Sequence, residues 1–246
     1  EAPELGVLEK PKMAKVTLIN DYHRPLLHEG LGSLLQDELF LGGLQVHCAD
    51  DASMRWCADA VESPGRCLRT EGTMARSDFQ ENDYYQLIWA KWHLIHRALE
   101  EGADSVLWLD ADVAVFSDLS GGLASEGDVD FMYQSEFVDS TGTPVGMNGG
   151  QLWLRRSNAT FSFLAEMFKH DKDQSKLDQD WAQSLAPTIP GLRHKPLPLS
   201  FQSKCWQLGV SAGTRTFHAN CLSDEASKRA VMRQARLQSA EADAPA

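Results

Sequence analysis

Ser105-Val106-Leu107-Trp108-Leu109-Asp110-Ala111-Asp112 decides how this chain is read. An unbroken apolar run that does not alternate with polar residues belongs to a strand covered on both faces, the situation of a parallel sheet sandwiched between helices. This run ends in two carboxylates. In an extended chain residues i and i+2 project to the same side, so Asp110 and Asp112 are expected to converge on one point. Two such groups beside an apolar strand must hold a cation, collect several hydrogen bonds, or share a proton. A hard divalent ion such as Mn²⁺ or Mg²⁺, itself gripping a diphosphate, suits two carboxylates; the plainer reading is an acidic pair capping a turn.

Outward from this run, the pattern alternates. Upstream, Tyr84 to Glu101 spaces Ile88, Trp92, Ile95 and Leu99 into one apolar helical stripe that also carries Lys91. Lys15-Val16-Thr17-Leu18-Ile19-Asn20 reads as a first strand ending at Asn20-Asp21, residues 31 to 41 as a helix stopped by Gly42-Gly43, and Leu44 to Ala49 as a second strand closing on Asp50-Asp51. Residues 52 to 76 read as an irregular stretch. Downstream, Val129 to Tyr133 and Gln151 to Leu154 are predicted strands, the second preceded by a flexible Gly146-Met147-Asn148-Gly149-Gly150. Helices are predicted near 158–170 and 178–186, an extended connection at Pro187–Pro198, strands at Leu199–Gln202 and Arg215–His218, and a polar helix from Ser223, with a mobile tail from Ser239 to Ala246. Strands alternating with helices give an α/β fold whose mostly parallel central sheet is flanked by helices, with ligands gathering beyond the carboxyl ends of the strands.

Composition narrows the function. Of 246 residues, 23 are Lys or Arg and 35 Asp or Glu, a net charge of −12, and no basic run occurs that could neutralise a nucleic-acid backbone. Hydrophobic residues at 43% suffice for a packed core in one large domain. No stretch approaches the roughly 18 apolar residues of a membrane span. The start, Glu1 to Leu5, lacks a signal-peptide pattern, which is read as either a cytosolic protein or a trimmed one. The five cysteines are too few and too widely spaced for a disulfide scaffold, and their odd number leaves one thiol without an internal partner. Asn158-Ala159-Thr160 is a glycosylation sequon.

The order of motifs adds a resemblance. Lys91 on a helix, then the apolar strand with Asp110 and Asp112, then Asn148-Gly149-Gly150, Asp178-Gln179 and His218-Ala219-Asn220 follow one another as in the GT-A nucleotide-sugar glycosyltransferases. Within these the chain resembles the retaining family 77 group, which includes plant and algal xylosyl-, galactosyl- and arabinosyltransferases. The resemblance spans about residues 15 to 230. It implies a single Rossmann-like GT-A catalytic domain over 15–230, a lead-in at 1–14, and a helix end with a tail at 231–246. It further implies Mn²⁺ (or Mg²⁺) held by Asp112 and His218, with Asp110 reaching the metal or the ribose. Asn20 and Asp21 would meet uracil and ribose, near Asp50. Lys91 and Lys228 would face the diphosphate of a UDP-sugar, and Gly149, Gly150 and Asn220 would line the donor. Asn148, Asp178 and Gln179 would address the transferred sugar, with Asp180 competing as the inward-facing acid.

The reaction implied is transfer of a hexosyl or pentosyl group from a UDP-sugar to a hydroxyl acceptor on a glycan, glycoprotein or small molecule, with retention. If inversion held instead, Asp178 or Asp180 would have to deprotonate the acceptor. Two rivals stand beside this reading: a phosphatase or phosphotransferase of the haloacid dehalogenase type using Asp110 and Asp112, and a sugar-nucleotide-binding relative without turnover. The family's members work in the Golgi lumen behind an amino-terminal anchor, so a trimmed secretory-pathway enzyme is expected, with a cytosolic one as alternative.

Overall fold

The structure is a computed structural model that describes residues 13–70, 82–117, 119, 123, 126–173, 175–206 and 210–242. In chain order these form β1 (Met13–Ile19), α1 (Arg24–Leu31), α2 (Glu38–Leu41), β2 (Leu44–Cys48), α3 (Asp51–Ala60), β3 (Arg66–Arg69), α4 (Asn82–Glu100), β4 (Ser105–Leu109), β5 (Val113–Val115), β6 (Phe131–Gln134), β7 (Phe137–Val138), β8 (Pro144–Val145), β9 (Asn148–Arg155), α5 (Asn158–Met167), α6 (Asp178–Leu185), β10 (His194–Pro196), β11 (Phe201–Ser203), β12 (Thr216–His218) and α7 (Glu225–Ala242). Seven strands make one sheet in the order β10-β6-β9-β4-β1-β2-β3. Its pairings are parallel except where β9 runs against β4 and β6. The expected mostly parallel α/β sheet is what forms.

The continuous apolar run of β4 has a direct cause in this arrangement. Side chains alternate across a sheet, so Val106 and Trp108 enter the core on the side of α4, with Trp92, Ile95 and Leu99 of the expected stripe. Leu107 and Leu109 enter the other core, with Leu27 and Leu31 of α1. Both faces are dry, and neither can tolerate a polar alternate. A small second sheet, β11-β12-β5, lies against this frame, with β12 antiparallel to β5 and parallel to β11. No described helix is long and apolar enough to cross a membrane.

Several local expectations are corrected. The helix read at 31–41 is instead α1, which starts at Arg24 with Pro25 in its first turn and ends where Gly32 adopts φ 52°. A 3₁₀ turn follows, and α2 restarts where the Asp37 carboxylate accepts from the N–H groups of Leu39 (2.9 Å) and Phe40 (3.1 Å). The stretch from Ala52 is ordered, since Asp50 and Ser53 form a reciprocal capping box at the start of α3, and Cys57 on α3 is bonded to Cys67 on β3. Residues 71–76 of that stretch lie outside the described residues. Asn148-Gly149-Gly150 is not a flexible lead-in but the buried start of β9. Within Pro187–Pro198, residues 194–196 form β10, the outermost strand of the main sheet. At the carboxyl end, 239–242, expected to be mobile, belong to α7 with Ser239 buried, while 243–246 lie outside the described residues. Cys205 is bonded to Cys221, and Cys48 is the free, buried thiol that the odd count required.

The frame also contains a pH-sensitive element remote from the cleft. His47 on β2 is 1% exposed; its Nδ1 accepts from the Arg97 guanidinium at 3.1 Å, and its Nε2 is buried without a partner. Burial and then the charges of Arg97 and Arg66 push its pKa from 6.5 down to about 3. A depressed histidine favours the folded state fully above the unfolded value and loses that contribution as pH falls through it, because the unfolded chain takes up the proton first. Between pH 7 and pH 5 this group alone is expected to remove about 2 kcal/mol of stability. Urea midpoints of the wild type and His47→Gln at the two pH values check this: the variant is expected to lose markedly less on acidification.

Candidate functional site

The carboxyl ends of β1, β4 and β6 and the amino end of the antiparallel β9 meet at one edge of the main sheet. There they enclose a cleft of about 890 Å³. Within this cleft the two aspartates do converge, though not by the route the sequence suggested. After Leu109 the chain turns, with Asp110 N–H on the Gly150 carbonyl (2.8 Å) and Val113 N–H back on the Asp110 carbonyl (3.1 Å). Residues 110–113 are therefore a turn and not an extended pair. Asp110 Oδ1 accepts from the indole Nε1 of Trp108 at 2.6 Å, a residue two positions earlier.

Asp112 is 7% exposed and surrounded by donors. His218 reaches it because β12 pairs with β5 in the register His218↔Val113, and Ala219 N–H donates to the Asp112 carbonyl at 2.9 Å. His218 Nε2 lies 3.2 Å from Asp112 Oδ1, and Lys228 Nζ, from α7, lies 2.6 Å from Asp112 Oδ2. Burial works against the Asp112 carboxylate, but His218 and Lys228 outweigh it and hold it far below the usual carboxylate range. The same contact raises the Lys228 pKa against burial, so the ammonium is charged. Asp110, Asp112 and His218 offer ligand atoms that all lie within 4.8 Å of one another. Two carboxylate oxygens and an imidazole nitrogen at this spacing could hold a divalent cation. Glu136, Cys205 and Cys221 are as close together, but the two cysteines are bonded to each other and offer no thiolate.

A second charged pair forms the floor. Lys91, from the apolar stripe helix α4, and Asp178, at the first position of α6, are both nearly inaccessible and stand 2.8 Å apart. Lys91 Nζ also donates to the Gly149 carbonyl (3.0 Å), and Trp92 Nε1 donates to Asp178 Oδ2 (2.8 Å). Burial disfavours the Lys91 ammonium; Asp178 and then Asp110 reverse this and raise its pKa. Asp178 is thus the inward acid, while Asp180 faces out and accepts from Leu177 N–H at 3.4 Å.

The amides complete the wall. Gln179 Oε1 accepts from Gly149 N–H (3.1 Å), and Glu136 Oε2 accepts from Asn148 Nδ2 (2.9 Å) and Gln179 Nε2 (3.5 Å). Space dictates both glycines: a Cβ on Gly149 would stand 2.6 Å from Lys91 Nζ, and one on Gly150 would enter the His218 ring. Asn220 lines the cleft beside Cys221, its Oδ1 accepting from Ser203 Oγ at 2.6 Å and its Nδ2 buried without a partner.

Of the expected site residues, Lys91, Asp110, Asp112, Asn148, Gly149, Gly150, Asp178, Gln179, His218, Asn220 and Lys228 line this one cleft. Asn20 and Asp21 are not among its lining residues: Asn20 Oδ1 accepts from His23 N–H (3.0 Å), and Asp21 pairs with Arg24 and donates its N–H to Asp50 (2.7 Å). Tyr22 and His23, next along the chain, line the cleft instead. Glu136, Trp108 and Gln134 also went unread. Trp108 could have been found from the alternation that puts residues i and i+2 on one face; nothing local singles out the other two.

The buried pair gives a stability test. Lys91→Met alone or Asp178→Leu alone leaves one buried charge and is expected to cost about 3–5 kcal/mol by urea unfolding. The double variant is expected to recover at least half of that. A double variant as unstable as the sum of the two would contradict the coupling.

Comparison with known proteins bears on the fold. Residues 43–232 match the family described as nucleotide-diphospho-sugar transferase. Curated proteins give no match. Solved structures share the fold. Mouse xyloside xylosyltransferase 1 in its apo form superposes with TM-score 0.56 at 12% identity, covering 86% of this chain and 99% of that one. A glycosyltransferase involved in glycosylation of the major capsid of PBCV-1 gives 0.54 at 12%, covering 91% and 100%. The galactosyltransferase LgtC, in complex with donor and acceptor sugar analogs, gives 0.55 at 14%, covering 95% and 98%. The fold is GT-A.

Proposed function

The chain belongs to the nucleotide-diphospho-sugar transferase family, and from that premise we propose that this glycosyltransferase uses a divalent cation and a UDP-sugar to glycosylate a hydroxyl acceptor with retention. The single observation that carries the proposal is the meeting of Asp110, Asp112 and His218 beside Lys228 in one cleft. Asp110, Asp112 and His218 would hold Mn²⁺ or Mg²⁺, which supplies Lewis-acid stabilisation of the negative charge that grows on a departing diphosphate.

The chain's own residues account for the rest. Lys228, kept charged by Asp112, places a second positive charge where the diphosphate would lie. Lys91 is committed to Asp178 and Gly149, so its part is to fix the floor under the transferred sugar while its charge offsets the nearby carboxylates. Asn148 and Gln179 would present amide groups to sugar hydroxyls, and the missing Cβ atoms of Gly149 and Gly150 let Lys91 and His218 close up against the backbone there. Trp108, Leu18, Leu87 and Ile88 supply the apolar part of the wall.

Retention is supported by the state of the acids that inversion would call on. Asp178 Oδ2 is already occupied by Lys91 and Trp92, and Asp180 points away as part of a helix start. The Glu136 oxygen facing Asn148 and Gln179 is likewise engaged. With these oxygens engaged, the leaving phosphate oxygen on the same face of the sugar would take the acceptor proton. Two disulfides among the described residues, together with the exposed Asn158 of the sequon, favour an oxidising secretory lumen as the place of action.

The test is a thermal-shift and donor-hydrolysis panel of UDP- and GDP-sugars, each with Mn²⁺ and with chelator. One UDP-sugar is expected to stabilise the protein and to be hydrolysed slowly only with the metal. Asp112→Ala and His218→Ala are each expected to lower the metal-dependent rate by more than the roughly 10–100-fold that loss of an outer-shell partner brings. No metal-dependent response to any nucleotide would overturn the proposal, and binding without hydrolysis or transfer would instead indicate a non-catalytic relative.

A further inference from the structure

Gln134, at the end of β6, is fully buried and is not itself among the residues that line the cleft, yet both polar atoms of its amide have partners. Its Nε2 donates to the carbonyls of Phe201 (3.3 Å) and Gln202 (2.7 Å) on β11. Because carbonyl oxygens only accept, these two contacts fix the amide's orientation, with NH₂ toward β11 and Oε1 the other way. Oε1 lies 2.7 Å from His218 Nδ1. At that distance two lone pairs would repel, so the hydrogen must sit on Nδ1 and donate to Oε1. The other ring nitrogen, Nε2, is then the one facing Asp112 at 3.2 Å.

From this geometry we infer that Gln134 is a positioning residue: it fixes the Nδ1–H tautomer of His218 and so presents the Nε2 lone pair to a divalent cation shared with Asp112. The inference rests on the proposed metal dependence for its consequence, but not for its structural content. With the hydrogen on Nδ1, Nε2 and a carboxylate oxygen face each other across a gap that is favourable only when a cation or a proton lies between them. Asp112 taken alone would draw the imidazole hydrogen to Nε2 and block the ligand position. Gln134 opposes that competition.

The amide is itself held. Gln151 Nε2 donates to the same Gln202 carbonyl (3.3 Å), Gln151 Oε1 accepts from Thr216 Oγ1 (2.6 Å), and Gln202 Nε2 donates to Thr214 Oγ1 (3.2 Å). These buried amides tie β6, β9, β11 and β12 together just behind His218, with Ser203 paired to His218 in register. Metal-bound histidines commonly depend on such an acceptor for their second nitrogen. Here the acceptor comes from a strand far from His218 in sequence.

The experiment uses the whole chain, with Gln134→Met, which fills the volume but cannot accept the hydrogen, and Gln134→Glu, whose carboxyl can. Long-range ¹H–¹⁵N correlation of the histidine rings is recorded metal-free at alkaline pH, His218 being assigned by its loss in His218→Asn. Free Mn²⁺ is measured by its EPR signal. In the wild type the His218 hydrogen is expected on Nδ1. In Gln134→Met it is expected to move to Nε2, with Mn²⁺ affinity reduced about 10–100-fold, and Gln134→Glu is expected to restore Nδ1–H and most of that affinity. A wild-type hydrogen on Nε2, a Gln134→Met protein with unchanged tautomer and affinity, or a Gln134→Glu protein as weak as Gln134→Met would each overturn the inference. If Gln134→Met does not fold, the wild-type tautomer and Gln134→Glu decide. A wild type that binds no Mn²⁺ would overturn the metal reading while leaving the tautomer to test Gln134 on its own.

Discussion

A carboxylate with almost no access to water has to be neutralised where it stands, and Asp112 is that carboxylate. Its two partners both come from the last part of the chain, the His218 ring on β12 and the Lys228 ammonium on α7. Neither can arrive unless the chain crosses back over the sheet edge, pairs β12 with β5, and lays α7 against α1 and β5. The small second sheet and the last helix also bury Phe201, Phe217 and Met232 in the core, so this apolar packing carries the two partners of the buried charge into place. Arg236 of α7 anchors the same return by donating to the carbonyls of Gly30 (2.7 Å) and Val115 (3.3 Å). The disulfide Cys205–Cys221 holds the segment between.

The cleft keeps its charges in two separate compensated groups. Lys91 and Asp178 neutralise each other on the α4 side, and Asp112 and Lys228 do so on the α7 side beside His218, with Asp110 between them and held by Trp108. The burial penalty on each ion is large, and each pair is stable only because its partner is placed to within hydrogen-bond distance. This division has a functional meaning. The α4 pair is the more buried, each side chain 5% exposed against 23% for Lys228. The α7 group borders the open cleft and presents a cation beside a ligand set, which is where an anionic leaving group can be received.

Much of the frame was legible. The β4 run announced a strand covered on both sides, and the Ile88, Trp92, Ile95, Leu99 stripe announced α4, because periodicity reports burial directly. The aspartate pair was legible as chemistry but not as geometry, since a turn brings the carboxylates together. The α3 helix carries no apolar stripe, because its buried residues are only Ser53 and Cys57, so the Asp50–Ser53 capping box is its one local signal. Gln134, Glu136 and the Lys91–Asp178 pair could not be read, since each acquires its role only through a partner distant in sequence. Asn20 and Asp21 were placed at the right strand end, yet the chain turns there and offers Tyr22 and His23 to the cleft.

The most direct measurement of the central claim is a crystal of the chain soaked with Mn²⁺ and UDP, recorded with anomalous scattering at the manganese edge. A peak bounded by Asp110, Asp112 and His218, with the diphosphate between it and Lys228, is the result expected. A bound UDP whose diphosphate lies away from Asp112, with no manganese peak against His218, would contradict it.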